Sequence, residues 1–196
     1  SAAQAAFRAV VLDRVRAYRR QGLAGLPAFH DHREAISPSV AFGQIASSPG
    51  LSAGTVASLL AYLSQYPRAP LSSRDEHMYW LEVTDSPKPT IQAAHMVIAR
   101  ALEGGAIEVV AASRQIFATH YVNGSLAITV LVRTEAGDRF MLYINRSSVD
   151  GLDGFLSGLK RLFVRGRVRR AGLAASEHLK RRIESYADAP ASDSAR

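Results

Sequence analysis

The chain contains no cysteine, and it has no long hydrophobic run. The absence of cysteine excludes disulfide scaffolds, thiolate nucleophiles and cysteine-ligated zinc or iron–sulfur centres. The richest apolar stretch, residues 125–132, is about as long as a β-strand. A transmembrane helix needs roughly 18 apolar residues, so the sequence predicts no membrane-spanning helix.

The composition that remains is that of a globular protein. Hydrophobic residues make up 47% and charged residues 21% of 196 residues, which is enough apolar material for a sizeable core. This length fits one domain. We expect residues 1–70 to form a helical unit, residues 71–186 to form a sheet and a C-terminal helix packed with it, and residues 187–196 to form a disordered tail.

The first third of the chain has the hydrophobic period of α-helices. Residues 3–21 carry an apolar stripe of Phe7, Val11, Val15 and Tyr18 at spacings of four and three. Ser37-Pro38 is a typical helix start and predicts a short second helix that includes Ile45. A third helix is predicted from Ser52 to the helix-stopping pair Tyr66-Pro67.

From about residue 76 the hydrophobic period changes to two, which is typical of strands. Five strands are predicted, at residues 78–83, 90–100, 107–121, 125–134 and 139–146. Asn123-Gly124 predicts a type I′ hairpin turn, because both central residues of that turn need a positive φ. Residues 135–138 predict the next turn. Such short connections make the sheet antiparallel over at least its last three strands.

A final amphipathic helix is predicted to begin at Asp150 or Ser148 and to cover one face of the sheet. Its stripe consists of Leu152, Phe155, Leu156, Leu159, Leu162 and Phe163. The predicted fold class is therefore α+β: N-terminal helices, then an antiparallel sheet of about five strands covered by a long C-terminal helix.

The net charge of +7 is concentrated in residues 160–182, which carry nine basic residues and one acid, Glu177. An anionic membrane surface is the functional partner that this segment favours, and a solvated helix face is the alternative. It lacks interleaved aromatics and any helix-turn-helix or zinc pattern, so we do not expect sequence-specific nucleic-acid binding. The candidate contacts with an anionic surface are Lys160, Arg161, Arg165, Arg167, Arg169 and Arg170.

Several polar residues fall on the predicted strands. We interpret His95, which shares a strand face with apolar residues, as a core histidine first and a pocket residue second. The mixed polar and apolar face of the long strand is compatible with a cavity that orients a mostly apolar ligand. The candidate ligand-binding residues are Trp80, His95, Ser113, Gln115, Thr119, Tyr121, Tyr143, Asn145 and Arg146.

Neither a metal nor a cofactor is expected. His30-Asp31-His32 brings three possible ligands together in a polar loop, but no second cluster with metal-ligand spacing is visible in the sequence. An ordinary solvated loop is the better interpretation.

Five segments together resemble a family of bacterial proteins for which no activity is implied. They lie at residues 79–80, 95–98, 112–121, 143–147 and 154–161. The order of elements is also similar to that of START-like helix-grip domains, which enclose a hydrophobic ligand between a sheet and a C-terminal helix. Here three helices precede every predicted strand, whereas those domains place two helices after the first strand.

The leading functional hypothesis is non-enzymatic binding of a hydrophobic or lipid-like ligand between the sheet and the C-terminal helix. The alternative is an enzyme acting on a small or lipid-like substrate through His95, Arg114, His120 and Tyr121. A third hypothesis is an interaction module that binds anionic surfaces through residues 160–182. The opening Ser1-Ala2-Ala3 resembles the product of signal cleavage, which slightly favours the bacterial envelope over the cytoplasm. The oligomeric state stays open.

Overall fold

The structure is a computed structural model of the chain, which divides into two compact units, Ser1–Asp150 and Gly151–Arg196. The structure describes residues 2–29, 35–47, 50–51, 54–68, 74–83, 90–103, 106–119, 122–149, 177 and 180–181. The three helices and five strands described below belong to the first unit.

Three helices open the chain. Helix α1 spans Ala2–Gln21 and runs into a short 3-10 helix, Gly22–Gly25. Helix α2 spans Pro38–Ala46 and begins with proline at its first turn, where a missing N–H costs nothing. Helix α3 spans Gly54–Gln65. The three predicted helices are confirmed, while the proposed cap at Ser52 lies outside the described residues.

Five strands follow, in the order in which they occur in the chain. They are β1 (Arg74–Val83), β2 (Thr90–Glu103), β3 (Ala106–Ala118), β4 (Val122–Arg133) and β5 (Arg139–Val149). Every neighbouring pair is antiparallel. The α+β class and the antiparallel sheet are therefore confirmed, and the antiparallel pairing extends over all five strands.

The hairpin turn predicted at Asn123-Gly124 is wrong. Both residues lie inside β4, since β3 already ends at Ala118, and Gly124 is not among the described glycines with a positive φ. Glycine fits at position 124 for a different reason. A Cβ on Gly124 would lie 3.3 Å from Ile45 Cδ1 and 3.5 Å from Ala41 Cβ, so the missing side chain lets α2 approach the sheet.

The next predicted turn is confirmed. Gly137 has a φ of 92°, a conformation that glycine adopts without strain. Thr134 closes the loop, because its backbone N–H donates to Asp138 O over 2.9 Å and its carbonyl accepts from Gly137 N over 3.0 Å. This turn fixes the register of β4 on β5, in which Arg133 lies opposite Arg139.

A bulge interrupts β3. Ala93 lies opposite Phe117 and Ala94 lies opposite Gln115, so Ile116 is the extra residue on β3. The alternation of side chains along β3 therefore changes at this point. Regular alternation would place Phe117 on the same face as Ser113 and Gln115, whereas the bulge turns it towards α1, where its ring meets that of Phe7.

The three helices lie over one face of the sheet, which we call the helix-covered face. Helix α1 contacts β3, α2 contacts β4 and β5, and α3 contacts β2 and β3. The core between these layers is mainly apolar, with a few buried polar side chains. Its largest fully buried apolar side chains are Leu59, Leu63, Val97, Val110, Ile116, Leu126 and Ile128.

The prediction of a long C-terminal helix falls on residues outside those described. One part of it can be corrected, because β5 continues to Val149 and Ser148 therefore belongs to a strand rather than to a helix start. Glu177, Lys180 and Arg181 are helical. Among the described residues, no helix combines the length and hydrophobicity required to cross a bilayer.

We predict that Gly124→Val destabilises the protein by about 1–3 kcal/mol, because the new side chain collides with Ala41 and Ile45 of α2. Gly43→Ala is the matched control. Gly43 lies within α2, and a Cβ added to it would meet no atom within 4 Å, so alanine there should stabilise the helix by about 0.5–1 kcal/mol. Urea unfolding of both variants measures the two free energies. Equal stability of the two variants would contradict the packing of α2 on β4.

Candidate functional site

A group of polar side chains is buried between the helices and the sheet, and we call it the buried polar cluster. It consists of Tyr18 on α1, Glu76 on β1, His95 on β2 and Arg114 on β3, with Tyr62 of α3 beside them. His95 and Arg114 lie directly opposite each other in the β2–β3 register. His95 is 0% exposed and Arg114 is 1% exposed, so both are sealed from solvent.

Arg114 connects this cluster to the helices. Its Nη1 donates to the backbone carbonyl of Leu63 in α3, and its Nη2 donates to the hydroxyl of Tyr18 in α1. The guanidinium also lies 4.8 Å from the ring centroids of both Tyr18 and Phe42. Burial lowers the pKa of Arg114, and the neighbouring Tyr18 hydroxyl partly opposes that shift.

The hydrogen bonds in the cluster have a direction. The Tyr18 oxygen accepts from Arg114, which leaves the Tyr18 proton for His95 Nδ1, 2.6 Å away. His95 Nδ1 is then an acceptor, and the ring carries its proton on Nε2. That nitrogen lies 3.2 Å from Glu76 Oε1, while Tyr62 donates to Glu76 Oε2 over 2.8 Å. Arg114 is therefore linked through Tyr18 to His95, and the second ring nitrogen of His95 lies in close contact with the Glu76 carboxylate.

Two tyrosines of this region resist ionisation. Burial raises the pKa of Tyr18 well above its ordinary value of 10.0, although the positive charge of Arg114 opposes the shift. Burial also raises the pKa of Tyr66, whose ring stacks on Tyr18 with a centroid distance of 4.9 Å. Both hydroxyls therefore stay neutral through the physiological range and act as hydrogen-bonding groups.

The cluster contains residue types used in acid–base catalysis, but its histidine and arginine are sealed from solvent, whereas the Glu76 side chain is 27% exposed. The described partners of Arg114 and Tyr18 are protein groups, and His95 has no exposed surface. General acid–base catalysis needs a side chain within hydrogen-bond reach of the reacting group. The arrangement agrees with the first interpretation of His95, a core histidine held by hydrogen bonds.

A groove of about 1000 Å³ lies beside this cluster, between α1 and the edge of the sheet formed by β1 and β2. Its α1 wall includes Phe7, Val11 and Val15, the stripe predicted from the sequence. The remaining lining residues are Ala3, Gln4, Arg8, Leu12, Met78, Tyr79, Trp80, Ile91, Ala93, Ala94 and Ile116. Met78 lies opposite His95 in the β1–β2 register, so the groove adjoins the buried polar cluster.

The groove is apolar inside and polar at its rim. Among the described lining residues, Arg8 carries the charge and Gln4 adds an amide, whereas the Tyr79 hydroxyl bonds on the opposite face of the sheet. Trp80 is 71% exposed and Leu12 is 51% exposed, although both line the groove. Large apolar side chains that stay this accessible at a concave site are typical of a binding surface.

The candidate residues from the sequence are divided between the two faces of the sheet. Trp80, His95, Arg114 and Arg146 lie on the helix-covered face, with Trp80 in the groove. Ser113, Gln115, Tyr143 and Asn145 lie on the opposite face. Thr119 follows β3 and accepts from Ile91 N over 2.9 Å. His120, Tyr121 and residues 160–170 lie outside the described part of the chain.

The residues on the opposite face make hydrogen bonds within a strand, between neighbouring strands and across a strand. Tyr79 reaches across β2 to Ser113 with an O–O distance of 2.7 Å, and Asn145 donates to the Tyr143 hydroxyl over 3.0 Å. Gln115 donates to the backbone carbonyl of Val122 over 3.1 Å. The structure therefore joins His95 with Arg114, but it does not bring the full set of candidate residues together.

Sequence reasoning missed Glu76, Tyr18 as a hydrogen-bonding residue, and the α1 side of the groove. One signal was available for the cluster: Arg114 alternates with the apolar residues Ala112 and Ile116 along a strand, which is typical of an arginine with an internal partner. No local signal identifies that partner, because Tyr18 precedes Arg114 by 96 residues.

The described residues offer no metal site. Among them, no group of three or more histidine, aspartate and glutamate side chains has the proximity required to hold an ion. The loop that contains His30, Asp31 and His32 lies outside the described residues.

The chain matches no family model, no curated protein and no solved structure. The resemblances to a bacterial family and to helix-grip domains therefore stay predictions.

We predict that Tyr18→Phe lowers the free energy of unfolding at neutral pH by about 1–3 kcal/mol, because Arg114 and His95 both lose their shared partner. Its pH dependence carries a second signature. The unfolded chain ionises Tyr18 near pH 10.0, whereas the folded protein keeps it neutral to higher pH, so wild-type stability falls as the pH rises above 10.

That alkaline fall should be smaller in Tyr18→Phe, and the part due to Tyr66 should persist. Urea unfolding at neutral pH and at several alkaline pH values measures both effects. Tyr143→Phe, at an exposed position, is the matched control and should change little. A Tyr18→Phe variant as stable as the wild type at neutral pH would show that the cluster does not hold α1.

Proposed function

We propose that the chain binds a hydrophobic or lipid-like ligand in the groove between α1 and the β1–β2 edge. The observation that carries this proposal is the groove itself: about 1000 Å³ of concave space with an apolar lining and polar groups at its rim. Small-molecule sites are mostly apolar clefts of about 300–1000 Å³ in which a few polar groups fix orientation. The groove is at the upper end of that range.

The distribution of polarity supports an amphiphilic ligand. Phe7, Val11 and Met78 offer contacts to an aliphatic chain, and Arg8 offers a positive charge at one wall. The lining of α1 extends from Ala3 to Val15, which at 1.5 Å per residue is about 18 Å. This length suits an extended hydrocarbon chain better than a compact ring system.

The site differs from the location expected from the sequence. That expectation placed the ligand between the sheet and the C-terminal helix, in the manner of a helix-grip fold, and it stays a proposal because residues 150–176 lie outside those described. The space beneath α2 and α3 is filled by side chains such as Leu59, Leu63 and Ile128. The groove beside α1 is therefore the site that we favour.

Two neighbouring valines of α1 provide a matched test. Val11 lines the groove, whereas Val10 does not line it and is 55% exposed. We expect Val11→Asp to weaken ligand binding more than tenfold. A carboxylate in an apolar groove either retains its hydration water or loses it at a cost in free energy. Val10→Asp makes the same chemical change one residue away and should leave binding unchanged.

Binding can be followed without a label, because Trp80 is the single tryptophan and lines the groove. Titration with a long-chain fatty acid below its micelle concentration should give a saturable shift of Trp80 emission to shorter wavelength. Native mass spectrometry of protein purified from cells should detect a bound lipid. Equal loss of binding in both valine variants, or no saturable response to the fatty acid and no bound lipid, would refute the groove as the binding site.

A further inference from the structure

The arginines of α1 form a row that begins in the groove. Arg8 and Leu12 line the groove, and Arg16 and Arg20 continue the same spacing of four residues beyond it. Residues four apart lie one above the other on a helix face. This rim row, Arg8, Leu12, Arg16 and Arg20, is exposed along its whole length. It stands beside the inward row that contains Phe7, Val11 and Val15.

The exposed surface of α1 has an excess of positive charge. Arg8, Arg16, Arg19 and Arg20 are exposed, and the one acid of the helix, Asp13, pairs with Arg16 over 3.0 Å. Arg14 does not belong to this surface, because it is half-buried between the rings of Phe29 and Phe117. On the sheet side, Glu82 is the exposed acid nearest in sequence to Trp80. On the described surface of α1, the exposed basic residues therefore outnumber the acids.

Exposed apolar side chains lie within this basic surface. Leu12 lies between Arg8 and Arg16 in the rim row, and Trp80 lines the same groove from β1. Tryptophan is enriched where proteins meet the membrane–water interface, because its ring is apolar and its N–H is polar. Basic residues that flank exposed leucine and tryptophan are typical of helices that lie on anionic bilayers.

We propose that the mouth of the groove docks on an anionic lipid bilayer, with the rim row of α1 and Trp80 against the headgroups. This inference rests on the proposed function for its purpose, since a bilayer in contact with the mouth supplies or receives the ligand. The membrane contact itself requires only the positive charge of α1 and the exposed side chains of Leu12 and Trp80. Nucleic acid is the less suitable anion, because Trp80 offers a single stacking ring and strand binders use several.

Trp80 reports the contact directly. With vesicles of phosphatidylcholine and phosphatidylglycerol in equal parts, we expect its emission to shift to shorter wavelength and to be quenched by brominated lipid. Vesicles of phosphatidylcholine alone should produce neither effect. Added salt should reverse the binding, because charges beyond about 8 Å are screened at physiological ionic strength.

The variant Arg16→Glu with Arg20→Glu tests the charge. Neither residue lines the groove, and both are exposed. Each basic side chain near such a surface contributes about 1 kcal/mol, or about fivefold in affinity, so the loss of two predicts binding at least about thirtyfold weaker. The matched control is Arg133→Glu with Arg139→Glu, an exposed pair opposite each other on β4 and β5, which should bind as the wild type does.

The two proposals fail in different ways. Fatty-acid binding measured without vesicles tests the groove, and Arg16→Glu with Arg20→Glu should retain it. Vesicle binding with no change at Trp80 would place the contact elsewhere, with residues 160–182 as the candidate from the sequence, and would overturn the docking proposal. Equal responses to neutral and anionic vesicles, or equal losses in the two double variants, would overturn it as well. Tighter binding of duplex DNA than of the anionic vesicles would also overturn the proposal, because the preferred polyanion would then be a nucleic acid.

Discussion

The buried charge of Arg114 is the constraint on which the helical layer depends. A guanidinium that is 1% exposed needs hydrogen-bond acceptors, because an unpaired ion inside a protein costs several kcal/mol. Its acceptors come from the helices: the Leu63 carbonyl of α3 and the Tyr18 hydroxyl of α1. The ring of Phe42 brings α2 to the same group. One side chain of β3 therefore holds all three helices, and Tyr18 relays the contact through His95 to Glu76 on the edge strand.

The groove is a consequence of this arrangement. Three short helices that meet at Arg114 lie mainly over β2 to β5, since their packing partners are in those strands. Helix α1 is fixed at Tyr18 and touches β3 through Phe7 and Phe117, so its side towards β1 has less to pack against. Trp80 on β1 stays largely exposed for the same reason. The groove lies at the edge of the sheet, where the helical layer ends.

The local features of this fold could be predicted from the sequence, whereas its long-range contacts could not. The apolar stripe from Phe7 to Tyr18 predicted α1 because a helix period is visible within 12 residues, and Gly137 was recognisable from turn chemistry. Gly124 was misread because a glycine required by a neighbouring helix and a glycine required by a turn look the same in a sequence. The bulge at Ile116 has no local signal, and neither has the pairing of Tyr18 with His95. The groove has no local signal either, because it lies where α1 and the sheet, which are distant in the sequence, leave space between them.

The polar groups of the molecule fall into two sets: one set connects the helices to the sheet, and the other lies at the rim of the groove. His95 is fully buried, and its Nε2 lies 3.2 Å from the carboxylate of the partly exposed Glu76. Among the described residues that line the groove there is no such pair, and the lining offers apolar contact with a charge at the rim. Apolar surface that stays in water costs about 25 cal/mol per Å² relative to a covered surface, so an aliphatic occupant gains free energy from the walls alone. Under the proposed function, the rim row would select an anionic amphiphile, because Arg8 places a positive charge beside the apolar lining of Phe7 and Val11. Recognition by charge and retention by hydrophobic contact would then both come from α1, whose two adjacent rows of side chains differ in polarity.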